Sequence, residues 1–248
     1  MTNPANLAGR TALVTGAGQR LGQAIALGLG RAGADVVLHY RTSREGALDA
    51  VRRLEADGRR AWAVQADLSR PAGIDDLAES VGLKPGRLDI LVNSAADYAR
   101  APLADIEADA WDAMLDLNLR APVLLLRRLL PLLSASPAAA VVNIADVAAF
   151  KPWANHLHYA VSKAGLLAAT RCLAVELAPR IRVNAVAPGT ALPAGFQSEA
   201  DLAAIRARTP LRRLATADDV VSAVVFLAGG PSALTGQVIP VDGGLSLA

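Results

Sequence analysis

The sequence predicts an α/β fold: one doubly wound parallel sheet flanked by helices on both faces. Three observations carry this. Short β-branched runs alternate with longer helical patterns almost to the end of the 248 residues. A glycine-rich stretch, Thr15-Gly16-Ala17-Gly18-Gln19-Arg20-Leu21-Gly22, separates the first such run from the first helical pattern. No Pro/Ser linker, internal repeat or low-complexity tract divides the chain, so residues 1–248 read as a single domain.

Taken in order, residues 11–15, 35–40, 61–65, 88–93, 139–144, 182–187 and 237–241 read as strands. Between them, 21–31, 44–57, 74–81, 111–133, 159–177 and 216–228 carry helical spacing. Parallel strands need crossover connections, and these helices supply them. With the glycine-rich turn between strand and helix, the arrangement is of the Rossmann type. The least regular stretch is 188–210, which contains Pro193 and Gly195 and reads as a lid or binding loop.

Composition excludes several classes. Hydrophobic residues make up 53% and aromatics only 4%, which predicts a core rich in Ala, Val and Leu. The net charge is +2, with Arg far commoner than Lys and no dense basic run, so no nucleic-acid surface is expected. The single cysteine, Cys172, cannot form an internal disulfide; it lies in an apolar helical run and is expected in the core. Residues 1–6 lack the features of a signal peptide, and Arg127, Arg128, Pro122 and Pro131 interrupt the longest apolar stretch. A cytoplasmic enzyme with no membrane partner is the expectation.

The chemistry-bearing residues fall into two groups. Gly16 permits a tight turn, and the helix that follows Gln19, Arg20 and Leu21 aims its N–H groups at a pyrophosphate. An NAD site usually carries an acid at the end of the second strand. Here that end reads Leu38-His39-Tyr40-Arg41-Thr42-Ser43-Arg44, without an acid. Arg41, Ser43, Arg44 and Arg20 can instead hold a ribose phosphate, which makes NADPH/NADP+ the expected cofactor, although Arg41 and Arg44 also suit an exposed loop. Asp67 and Leu68 follow the third strand where an adenine would pass, with Asp67 equally suited to capping a helix. Asn93, Ser94, Ala95 and Ala96 follow the fourth and offer small side chains to the cofactor.

The second group is catalytic. Tyr159 and Lys163 are four residues apart and share one helix face, where an ammonium would favour the phenolate. Asp146 adds a third ionisable group. With Arg20 at the cofactor turn, the set points to reduction of a charged or strongly polar heterocycle. His156 and His158 precede Tyr159 without a metal-ligand constellation around them and are expected to be structural or exposed, with no metal bound.

Together with Asn118, Pro188-Gly189 and the closing Val241-Asp242-Gly243-Gly244, these motifs resemble the short-chain dehydrogenase/reductase family over nearly the whole chain. The chain departs from that family's majority pattern at Arg20, usually Gly, at Asp146, usually Ser, and at Asn93-Ser94-Ala95-Ala96, usually Asn-Asn-Ala-Gly. The first two departures, with Leu38-His39-Tyr40-Arg41, are similar to the pteridine reductase branch. That resemblance implies hydride transfer from NADPH to a pterin or folate ring, with Tyr159 and Asp146 supplying the proton. It implies that Lys163 holds the nicotinamide ribose and that Asn118 holds a water or backbone group near it. Pro188 and Gly189 would then line the cofactor, and Arg20 would bridge its phosphate and the pterin edge. Tyr98 matches the branch's stacking aromatic, though rim packing would also explain it. The alternative keeps the hydride chemistry and reduces a carbonyl, as in a 3-oxoacyl thioester or small ketone. The family resemblance further implies a homotetramer.

Overall fold

Alternate residues of each strand feed two different cores, which is why the strands read as nearly unbroken apolar runs. The computed structural model describes residues 6–191, 198–230 and 233–248. The predicted N-terminal segment 1–5 and the Pro193 and Gly195 positions lie outside them. In β1 (Thr11–Val14), Ala12 and Val14 face one core and Leu13 the other. β2 (Asp35–Tyr40) divides Val36 and Leu38 from Val37, and β4 (Ile90–Asn93) divides Ile90 and Val92 from Leu91. One core is closed by α1 (Arg20–Arg31), α2 (Arg44–Ala56) and α8 (Ala217–Gly229), through Ile25, Leu29, Leu54, Val220, Val224 and Leu227. The other is closed by α3 (Pro71–Leu83) and α5 (Ala121–Ser134), through Ile74, Leu77, Leu125 and Leu129. The 20-residue α6 (Leu157–Glu176) adds Ala174 to this second core.

β3 (Ala61–Gln65), β5 (Ala139–Ile144), β6 (Ile181–Pro188) and β7 (Val238–Val241) complete a seven-stranded sheet. Its order is β3-β2-β1-β4-β5-β6-β7, and every neighbouring pair is parallel. Chain order therefore reverses between β1 and β4, and the crevice beyond their C-terminal ends is where such sheets bind ligands. The register pairs Asn93 with Asn143. Asn93 Nδ2 donates to Asn143 Oδ1 at 2.8 Å, and Asn143 Nδ2 donates to Thr170 Oγ1 at 2.9 Å. This buried polar ladder locks β4, β5 and α6 together, since leaving any of its groups unpaired would cost about 1–3 kcal/mol.

Three expectations are corrected. The stretch read as a loop at 188–210 contains α7 (Glu199–Arg208). Ser198 and Asp201 form a capping box, with acids in the first turn and arginines in the last, so the helix carries its own start and stop signals. The single helix expected over 111–133 is three pieces: α4 (Ala108–Leu115), a π-helical turn (Asp116–Arg120) and α5. The wider turn is explained by Asn118, whose fully buried side chain bonds inward from it. Cys172 is exposed. The buried stripe of α6 runs through Leu166, Thr170 and Ala174, and Cys172 lies two residues off that stripe, on the opposite side of the helix.

Candidate active site

The site begins where β1 and β4 part. Thr15, one residue past β1, accepts the N–H groups of Ser94 and Ala95 on its Oγ1, both at 2.9 Å. That hydroxyl clips the segment after β4 against the glycine-rich turn. Gly16, at φ +67°, passes so close to this segment that a Cβ would stand 2.8 Å from the Ala95 Cα, so only glycine fits. His39 holds the turn from below. The Gly16 N–H donates to His39 Nδ1 at 3.1 Å, so the ring proton lies on Nε2 and is given to the Ala66 carbonyl at 3.2 Å. Burial lowers the His39 pKa to about 4, which keeps the ring neutral and able to accept. His39, expected to contact cofactor, lines the cleft and braces the glycine-rich turn through both ring nitrogens.

A cleft of about 880 Å3 opens above this point. Gly16, Gln19, Arg20, Leu21, His39, Tyr40, Arg41, Ser43, Leu68, Ser94, Ala95, Pro188 and Gly189 all line it, as do Tyr98, Asp146, Tyr159 and Lys163. Asp67, Asn93 and Asn118 do not. Asn93 is committed to the buried ladder, and Asp67 folds back on Ser69, accepting from its N–H at 3.1 Å and its hydroxyl at 2.7 Å. Asp67 does not cap α3 either, whose N-cap is Arg70.

The start of α1 suits an anion. Gln19 makes no side-chain cap and the first turn of α1 holds no acid, so the positive end of the helix dipole is not offset by a carboxylate of its own. Arg20 is held at φ +52°, in the left-handed region, at about 1–2 kcal/mol for a residue with a Cβ. Such strain persists where the side chain has a task.

Tyr159 projects from the first turn of α6 and donates its hydroxyl to Asp146 Oδ2 at 2.8 Å. Asp146 caps the short 3-10 turn after β5, its other oxygen accepting from the Ala148 N–H at 2.7 Å. Burial pushes the Asp146 carboxyl above its usual range, against the opposing pull of these bonds and of the Lys163 charge. Burial, and then the Asp146 charge, raise the Tyr159 phenol well above its ordinary value. The phenolate that the ammonium would favour is thus opposed, first by burial and then by Asp146, so the phenol holds its proton more firmly than an ordinary tyrosine. Lys163 lies one helical turn on. Its Nζ donates to the Ile144 carbonyl at 2.9 Å and stands 5.8 Å from the Tyr159 ring centroid. Burial lowers its pKa to about 8, with Asp146 partly offsetting the shift.

Asn118 builds the wall opposite. It accepts from the Asp97 N–H at 2.8 Å and donates to the Asp97 carbonyl at 3.0 Å and to Ser162 Oγ at 3.0 Å. It thus fixes the backbone next to Tyr98. Tyr98 stands edge-on to Tyr159, with ring centroids 4.7 Å apart and planes at 84°. Its hydroxyl donates to His156 Nε2 at 2.7 Å, and His156 Nδ1 donates to the Ala154 carbonyl at 2.8 Å. His156 thus belongs to the site. His158 is buried, and its Nδ1 lacks a hydrogen-bond partner among the described residues. Sequence reasoning missed Thr15, although it opens the glycine-rich motif. It also missed Trp153, which lines the cleft 6.0 Å from His156, and Ser162, which supports Asn118. The run of aromatic and histidine residues just ahead of Tyr159 was the available signal for Trp153.

Among known proteins, a family model described as enoyl-(acyl carrier protein) reductase matches residues 16–246. The chain is 35% identical to the 3-oxoacyl-[acyl-carrier-protein] reductase of Synechocystis, over 96% of this chain and 98% of that protein. The Pseudomonas aeruginosa RhlG/NADP active-site complex is 37% identical, superposes with a TM-score of 0.91 and covers 99% of this chain and all of its own. FolM alternative dihydrofolate reductase 1 from Brucella canis, complexed with NADP, is 32% identical with a TM-score of 0.92, over 99% of this chain and 97% of that one. The chain belongs to the short-chain dehydrogenase/reductase family. It is an NAD(P)-dependent oxidoreductase of that family.

Proposed function

We propose that this oxidoreductase uses NADPH to reduce a pterin or folate ring. The observation that carries the reading is the 2.8 Å bond between the Tyr159 hydroxyl and the Asp146 carboxylate, which stands where most of the family carries a serine. A C=N bond takes up a hydride at carbon and a proton at nitrogen. With Asp146 accepting from the Tyr159 hydroxyl and its carboxyl held above the usual range, the pair can relay a proton to a basic ring nitrogen, whereas a hydroxyl suits a ketone oxygen. The Brucella canis similarity supports the same direction.

The residues fit the cofactor. The start of α1 would hold a pyrophosphate on its helix N–H groups, and Arg41 and Ser43 offer a cation and a hydroxyl to a ribose phosphate, in line with the NADP of the related Pseudomonas and Brucella structures. NADPH supplies the hydride when bound. Asp146 and Tyr159 hold the proton at the substrate side of the cleft, and Lys163 stands behind Tyr159 as the cation near the ribose. Tyr98, fixed by His156, presents a ring for stacking. Arg20, which lines the cleft, would bridge the cofactor phosphate and the pterin edge. Exposed Leu157, Val161 and Val175 on α6 support assembly of a homotetramer.

A carbonyl substrate is the second reading, favoured by the neutral Tyr159 phenol and by the likeness to the Synechocystis reductase. The deciding experiment is NADPH oxidation by purified enzyme with dihydrobiopterin and dihydrofolate against an acetoacetyl thioester and simple ketones. Turnover of the dihydropterins is expected. Turnover confined to the carbonyl compounds would replace the pterin reading.

A further inference from the structure

The outer part of the cleft carries cations for which ring reduction has no use. The stripe Asp201, Ala204, Ile205 and Arg208 of α7 lines the cleft, and this i, i+3, i+4, i+7 spacing is one face of a helix. The acid at its near end is already engaged. Asp201 Oδ2 accepts from the Ser198 N–H at 2.9 Å and from the Ser198 hydroxyl at 2.7 Å, as the cap of α7. The cation at its far end is not. Arg206, off this stripe, pairs with Glu199, whereas Arg208 makes no ion pair among the described residues. Arg100 also lines the cleft, two residues past Tyr98, and its charge reaches both the Tyr98 hydroxyl and Asp201, at the near end of this stripe.

We propose that Arg100 and Arg208, at the two ends of this stripe, receive the acidic tail of a substrate at the end remote from its reducible ring, so that the preferred substrate is an acidic, folate-type pterin. A neutral side chain would leave the guanidinium groups facing it without exchange of hydrogen bonds. A carboxylate accepts from a guanidinium, and Arg is the cation whose planar fork matches it. The segment that carries Tyr98 thus also carries Arg100, so ring stacking and tail recognition share one support. This inference rests on the pterin reading and narrows it.

The test is calorimetric titration of the enzyme saturated with NADP+, using folate and biopterin, which differ in the acidic tail. Folate is expected to bind more tightly. The double substitution Arg100→Gln, Arg208→Gln is expected to cut the ratio of folate to biopterin affinity about tenfold. In the unaltered protein, folate affinity is expected to fall with added salt more steeply than biopterin affinity. Equal weakening of both ligands, a salt response shared by both, or folate binding no tighter than biopterin would overturn the carboxylate site. Failure of the ring reading shows itself separately, as no NADPH oxidation with either dihydropterin.

Discussion

Two aspartates at opposite ends of the same sheet have opposite fates. Asp89 lies one residue before β4, among the N-terminal strand ends, and is almost wholly buried. Arg87 grips it with two bonds of 2.8 and 2.9 Å, Ser136 donates to it, and so does the Thr11 N–H at 2.8 Å. Burial alone would push its carboxyl up, but these donors overcome it and hold the group below the usual range. Asp146 lies two residues beyond β5, among the C-terminal strand ends. It has one backbone donor and the Tyr159 hydroxyl, and there burial wins. A carboxylate saturated with donors is a fastener. One left short of donors beside a cleft takes up a proton more readily and can exchange it.

The largest expected effect lies at the cleft end. Tyr159→Phe removes the hydroxyl from Asp146 and should lower kcat about 10³-fold, with cofactor binding retained by fluorescence titration. Retained turnover would make Asp146 and Tyr159 another fastener and dissolve the contrast.

Paired substitutions sharpen it. Asp89→Asn should cost about 2 kcal/mol in denaturant unfolding while the folded enzyme keeps its turnover. Because the folded-state pKa of Asp89 is depressed, its stabilisation is present above the unfolded value and fades as pH falls. The variant should therefore lose stability less steeply on acidification. Asp146→Asn should do the reverse, lowering turnover with little loss of stability. In the unaltered enzyme the rate should fall as pH rises through the elevated Asp146 pKa, and that limb should vanish in the variant. Equal stability losses at both positions would show that the two ends are alike.

A smaller effect separates cofactor reading from catalysis within the cleft end. Arg41→Ala should raise the Kd for NADPH about tenfold more than that for NADH. Losses of equal size would remove Arg41 from phosphate recognition. Smallest is Arg20→Gly, which relieves the left-handed backbone at that position. It should stabilise the fold by about 1 kcal/mol while weakening substrate binding. A variant that gains neither stability nor loses binding would show that the strain at Arg20 has no task.

Legibility in the sequence follows the same division. All seven predicted strands are present, displaced at either end by no more than two residues, because buried parallel strands announce themselves by local composition. Most of the expected cofactor positions line the cleft, and they were legible because they sit in short contiguous motifs. Asn93 lies off the cleft lining: a position after a strand does not tell whether an amide faces the cleft or its neighbour across the sheet, and the register with Asn143 turns it to the neighbour. The Asp67 carboxylate is likewise turned to Ser69, two residues on. The helix inside 188–210 was legible, since Ser198 and Asp201 spell a capping box, but proline and glycine nearby outweighed it.

By itself the sequence determined what depends on local order: the alternation of strand and helix, the tight turn at Gly16, and Tyr159 and Lys163 on one helix face. The tertiary structure alone decided protonation, because a pKa depends on burial and on charges brought from elsewhere in the chain. Tyr159 and Lys163 suggested a phenolate. Only the exclusion of water around the ring, and then Asp146 brought from the end of β5, raise the phenol above its ordinary value.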